Sequence, residues 1–123
     1  GLYLARSTNY VYNSIIASNR AASGWQVYNS AAHATNYYFN TCVPAVNLPV
    51  ENGNIKVAPG FIDFYAGDFR LAQDSPCINT GTNQDWTMNA FDLNGYPRLD
   101  RFSRKIDMGA YEYIPPGILF FGR

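Results

Sequence analysis

Hydrophobic and polar residues alternate over short runs in the first third of the chain, and no stretch there keeps a helical period. Residues 9–19, NYVYNSIIASN, alternate in part and are rich in Val, Ile and Tyr, side chains that suit a pleated, half-buried strand. Residues 25–43, WQVYNSAAHATNYYFNTCV, have the same texture. Alanine is frequent over 17–34, but Asn19, Ser23, Gly24 and Asn29 interrupt it, which limits any helix to a turn or two. Two phrases recur: VYNS at 11–14 and 27–30, and Asn-Tyr at 9–10 and 36–37. Their spacings differ, at 16 and 27 residues, yet echoes of this size point to a solenoid.

From Pro44 the texture changes. Residues 44–64, PAVNLPVENGNIKVAPGFIDF, hold three prolines and an Asn-Gly, which predicts a connection with a short strand over 54–57. A second short strand is expected over 69–71, then a turn that leaves Cys77 and Ile78 packed inward before Gly81. Residues 91–113 predict a hairpin-like excursion with Asn94-Gly95 as its tight turn, closing on a strand over 109–114. The tail IPPGILFFGR (114–123) carries a stiff Pro-Pro and then a bare apolar patch, Ile118, Leu119, Phe120 and Phe121.

Composition narrows the partners. Hydrophobic residues make up 47% of the 123 residues and aromatics 16%, ample surface to bury, so disorder is excluded. Charged residues make up only 15%, against roughly 25% in an average chain. Net charge is zero and no basic cluster is dense enough to track phosphates, which excludes nucleic acid as a partner. No apolar run reaches the roughly 18 residues of a membrane span. The opening GLYLARSTNY does not read as a signal peptide, so an exported protein is expected to have had its signal removed or upstream. Residues 21–50 contain no charged side chain, whereas Arg98, Arg101, Arg104 and Lys105 crowd together. Such an uncharged stretch suits burial or contact with a partner rather than solubility.

Three phrases in order, GNIKVAPGFIDFYAGDFRL, SPCINTG and DLNGYPR…IDMGAYEY, carry a resemblance. They are similar to the C-terminal region of bacterial surface or secreted proteins of the choice-of-anchor type, right-handed parallel β-helices related in fold to pectate lyases. Matching positions include Gly53, Asn54, Ile55, Pro59, Phe61 and Asp63, then Ser75, Pro76, Ile78 and Gly81. The closing part of the pattern falls on Asp92, Gly95, Arg98, Asp107, Gly109, Ala110 and Glu112. The match covers about residues 50–113, and it departs at Ala58, where the family usually has an acid. The resemblance implies an all-β fold: a short right-handed parallel β-helix of about three coils with a C-terminal loop or hairpin excursion. The β-helix domain would span 1–113, with its closing motif at about 85–113, and 114–123 would be an extended tail. It also implies export to the cell surface or the extracellular space, and no single activity. In that setting Cys42 and Cys77 are expected to form a disulfide closing a loop of about 35 residues, worth roughly 3–4 kcal/mol in the chain-entropy picture.

The chemistry-bearing residues are sparse. The single histidine, His33, has no nucleophile or orienting acid visible beside it in the sequence, and a triad needs both. Asp63, Asp68, Asp74 and Asp85 are carboxylates of the type that hydrolyses glycosides, where separation in space decides the matter. In the pattern they read as structural. Asp92 and Asn94 alternate as in a calcium loop but lack its third carboxylate and closing Glu, so an Asx-turn is the expected use of Asp92. Two Cys and one His do not complete a zinc site, and no cofactor is implied. Arg98 and Asp107 are expected to form an ion pair or hydrogen-bonded clasp. The tyrosines Tyr3, Tyr10, Tyr12, Tyr28, Tyr37 and Tyr38 either stack along neighbouring coils or offer a platform to sugar rings.

The function expected from these readings is an extracellular structural or surface-assembly module without catalytic activity of its own. Its partners would be further copies, end to end in a filament, or a longer parent β-helix. The alternative is a carbohydrate-active or glycan-binding domain that takes a polysaccharide.

Overall fold

The chain forms strands where β-branched and aromatic residues alternate, and the strands are short because asparagine, proline or glycine soon follows. A computed structural model describes residues 1–4, 7–20, 26–29 and 35–117. The regular structure is mostly strand: β1 (Leu2–Leu4), β2 (Thr8–Tyr12), β3 (Val27–Asn29), β4 (Thr35–Phe39), β5 (Phe61–Asp63) and β6 (Asp68–Leu71). Two 3₁₀ segments, Val50–Asn52 and Asp85–Asn89, are the only helices among the described residues. None is long and apolar enough to cross a membrane. The all-β expectation holds at this level.

The strands assemble as three two-stranded sheets. β1 pairs with β3, and β2 with β4, both parallel. The second pairing explains one of the sequence echoes: Thr8, Asn9 and Tyr10 sit opposite Thr35, Asn36 and Tyr37, identical residues in register. Asn9 Nδ2 donates to Asn36 Oδ1 at 2.8 Å, and the Tyr10 and Tyr37 rings stack 5.2 Å apart. The Tyr12 and Phe39 rings stack likewise at 5.0 Å. The VYNS echo has no such meaning, because Val11 pairs with Tyr38 and Val27 with Leu2. Beyond β4 the parallel contact continues through single bridges, Ile15 to Cys42 and Cys42 to Ile55.

Three expected elements differ. The strand over 54–57 is reduced to the bridge at Ile55. β5 and β6 pair antiparallel, since the tight turn between them, closed by Gly67 N–H to Phe64 O at 3.1 Å, is too short for a parallel crossover. The closing strand over 109–114 does not form; that segment is irregular and held by side chains.

The core is small. Cys42, Leu71, Cys77 and Met108 pack together, with Ile15, Ile55, Phe61, Ile78 and Tyr113 against them. Around it, buried asparagines do what longer strands would do. Asn13, at a left-handed φ of 52°, ends β2 and points its amide at a distant loop. Its Oδ1 accepts from Thr82 N at 2.7 Å and its Nδ2 donates to Thr82 O at 2.9 Å, a two-way pairing that imitates a strand. Its own carbonyl accepts from Gly109 N at 2.8 Å. Asn54 acts similarly on β4: Nδ2 donates to Tyr38 O and Oδ1 accepts from Thr41 N. Removing such a side chain strands buried backbone groups, at about 1–3 kcal/mol for each. Asn13→Ala is therefore expected to destabilise the fold by roughly 2–4 kcal/mol, with urea unfolding as the measurement. A loss below about half a kcal/mol, the range of an ordinary surface substitution, would contradict this role.

Candidate functional site

The residues singled out near the C-terminus converge on one clasp. Phe91 and Pro97 form an antiparallel bridge around a turn in which Gly95 N donates to Asp92 O at 3.1 Å. Leu93 and Asn94 occupy the centre of this turn, and Gly95 follows in the left-handed region at φ 82°. The expected Asn-Gly pair is thus displaced by one residue, in a longer hairpin connection that uses glycine at its end. Asp92 makes the expected Asx-turn, accepting from Asn94 N at 2.9 Å and Tyr96 N at 2.8 Å through Oδ1. Its other oxygen accepts from Glu112 N at 2.9 Å, so one carboxylate ties the excursion to the closing segment.

Arg98 is buried at the centre. Its ionic partner is Glu112, Nη1 to Oε1 at 3.2 Å, rather than the Asp107 carboxylate. Asp107 contributes its backbone instead: Arg98 donates to Asp107 O at 3.3 Å and to Gly109 O at 2.9 Å. The Asp107 carboxylate is already occupied, by Asn79 N at 2.7 Å through Oδ1 and by Tyr113 N through Oδ2. Asp107 N in turn donates to Glu112 Oε2 at 2.9 Å. The expected clasp forms, with the Glu112 carboxyl in place of the Asp107 carboxylate beside Arg98. Gly109 is required where it stands, since its φ is +93° and a Cβ there would meet Ile15 Cδ1 at 2.8 Å.

Two carboxyl groups and one guanidinium, all buried, cannot all be charged at low cost. Asp107 is 2% exposed and Glu112 9%. Burial first, and then the neighbouring Asp107, pushes Glu112 up to about 9 against the pull of Arg98. Burial also raises Asp107, opposed by its backbone donors. These acids line one wall of a mainly apolar cavity of about 530 Å³, with Ile78, Phe91, Leu99 and Tyr113 among its other residues. Both Asp107 oxygens and Glu112 Oε2 accept from backbone amides, while Glu112 Oε1 faces Arg98 without a hydrogen bond, an arrangement that suits a clasp better than a reaction.

The two cysteines meet in the core. Both are fully buried free thiols packed in the same core cluster, and Cys42 Sγ lies 3.3 Å from Val57 O. The expected disulfide is not formed here: the Cys42 thiol donates to that carbonyl. The neighbouring Cys77 thiol first, and then burial, hold the Cys42 thiol well above its ordinary value, which makes it a poor nucleophile. Ser75 shapes this region, its hydroxyl bonded to Pro59 O and accepting from Cys77 N at 3.1 Å.

Three of the four carboxylates considered for hydrolysis have local places in the fold. Asp63 accepts from Ala66 N at 3.1 Å, and Asp68 ion-pairs with Arg70 at the surface. Asp85 opens a 3₁₀ segment. His33 and the apolar patch Ile118, Leu119, Phe120 and Phe121 lie outside the described residues. Asn13 and Asn54 were not anticipated as hubs; asparagine at the end of an apolar strand run was the signal for them. No known family, curated protein or solved structure matches the chain.

The clasp makes stability depend on pH in a defined direction. Glu112 is raised from 4.5 to about 9, so its contribution is whole below the lower value and is lost as pH rises through the upper one. The melting temperature is expected to fall as pH rises from about 4.5 through neutral to about 9, and Glu112→Gln, which keeps an uncharged group there, to flatten that fall. Equal alkaline losses in both proteins would contradict the assignment.

Proposed function

We propose that the chain is an extracellular structural module, a short parallel β-helix that works by self-association and has no catalytic activity of its own. The observation that carries this reading is the difference between its two edges. β4 lies inside the stack, with Tyr38 O bonded by Asn54 and Asn40 N donating to Asn52 O. β2 pairs only with β4 among the described residues. Ser7 O accepts from Thr35 N and Asn13 N donates to Phe39 O, so odd-numbered residues of β2 turn their backbone toward β4. Thr8, Tyr10 and Tyr12 then turn theirs outward. An open strand edge is an association surface unless it is blunted by charge or proline, and residues 7–19 contain neither.

Further support for the solenoid comes from the offsets. Thr8 to Thr35 and Ile15 to Cys42 are both parallel contacts separated by 27 residues, as successive coils would be. Export rests on the resemblance carried by residues 50–113 and not on Cys42 and Cys77, which are free thiols here. The glycan-binding alternative draws on the exposed tyrosines. Sugars stack on aromatic faces, and the Tyr10–Tyr37 stack takes one face of each ring, leaving less aromatic surface for a sugar than the exposed tyrosines suggest.

Light scattering over a concentration series tests the proposal. Mass above that of the single chain, rising with concentration, is expected. A monomer throughout, especially one that binds polysaccharide, would overturn it in favour of the alternative.

A further inference from the structure

We infer that the β2 edge pairs with the β2 edge of a second copy, antiparallel and about a two-fold axis at Tyr10, so that association closes at a dimer. The inference rests on the self-association reading and adds its geometry. Continuing the parallel stack would require a second copy to offer an edge of the opposite kind. That edge is occupied in this chain: Asn54 holds Tyr38 O and Thr41 N, Asn52 O holds Asn40 N, and Ile55 pairs with Thr41 and Val43. The open edge is thus left to meet its own copy. Two identical edges related by a two-fold axis normal to the sheet run antiparallel, and such an isologous contact is complete at two subunits.

The register follows from which backbone groups are open. Thr8, Tyr10 and Tyr12 face outward, so placing the axis at Tyr10 sets Tyr10 against its copy and Thr8 against Tyr12 of the second chain. Each opposed pair exchanges N–H and C=O bonds. The Tyr12 carbonyl already accepts from the Ser14 hydroxyl at 2.7 Å and keeps a second lone pair for the partner strand. Tyr10 is 60% exposed although it stacks on Tyr37. In the pair, the bare side of its ring meets Tyr10 of the copy. The stack becomes Tyr37, Tyr10, Tyr10, Tyr37 across the axis, with no charge on either strand to oppose it. Backbone bonds would supply affinity, and the tyrosine stack the register.

Cysteine cross-linking tests the axis directly. Opposed residues of a hydrogen-bonded antiparallel pair have Cα atoms about 5.5 Å apart, within the reach of a disulfide. The full chain carrying Tyr10→Cys, treated with a mild oxidant, is expected to become a covalent dimer. Tyr37→Cys, about three strand spacings or roughly 14 Å from its copy, is expected to stay uncross-linked, and Thr8→Lys to return the otherwise unchanged protein to monomer. An unmodified chain that is monomeric at every concentration overturns both this inference and the self-association reading. Larger oligomers that Tyr10→Cys does not lock overturn the inference alone, as do dimers unaffected by Thr8→Lys.

Discussion

Everything in this fold depends on satisfying backbone hydrogen bonds where strands are too short to do so. Strands of three to five residues leave donors and acceptors open at every end, and a buried group left open is costly. Amide and carboxyl side chains complete them. Asn13 pairs with Thr82 from both ends of its amide, Asn54 closes β4, Asp92 serves three amides, and Asp107 serves Asn79 and Tyr113. The apolar core is small by comparison. The polar side chains therefore determine which segments meet.

The same constraint explains the asymmetry of the molecule. Arg98, Glu112 and Asp107 lock the closing segment onto the excursion, and Gly109 brings that segment against Ile15 and Asn13. The whole C-terminal part is thus folded onto the end of β2 through internal bonds. Among the described residues, the outward edge of β2 carries only the Ser14 hydroxyl on Tyr12 O, with no asparagine side chain turned back on it and no charge within the strand. Assembly is the functional reading that uses this difference.

Much of the fold was legible in the sequence. Period-two alternation located β2 and β4, and the Asn-Tyr echo at a spacing of 27 is the register of their pairing. The Asx-turn at Asp92 followed from side-chain chemistry alone. What escaped was decided by tertiary context. VYNS recurs without pairing, because a four-residue phrase does not specify which strand lies beside it. Asp107 was a reasonable partner for Arg98, but its carboxylate is consumed by backbone donors that only the folded chain brings near. The direction of β5 against β6 depended on one tight turn at Phe64–Gly67. The thiols were correctly expected to meet, yet packing chose the Val57 carbonyl for Cys42.

The central claim is that, among the described residues, β2 has one edge satisfied by β4 and one open edge. Amide hydrogen exchange of Val11 and Tyr10, neighbours in the same strand, tests it most directly. Val11 N–H faces β4 and is expected to be protected at every protein concentration. Tyr10 N–H faces outward and is expected to exchange fast in dilute protein and slowly as the concentration rises. Equal protection of both amides in dilute solution, or a Tyr10 rate that ignores concentration, would contradict the account.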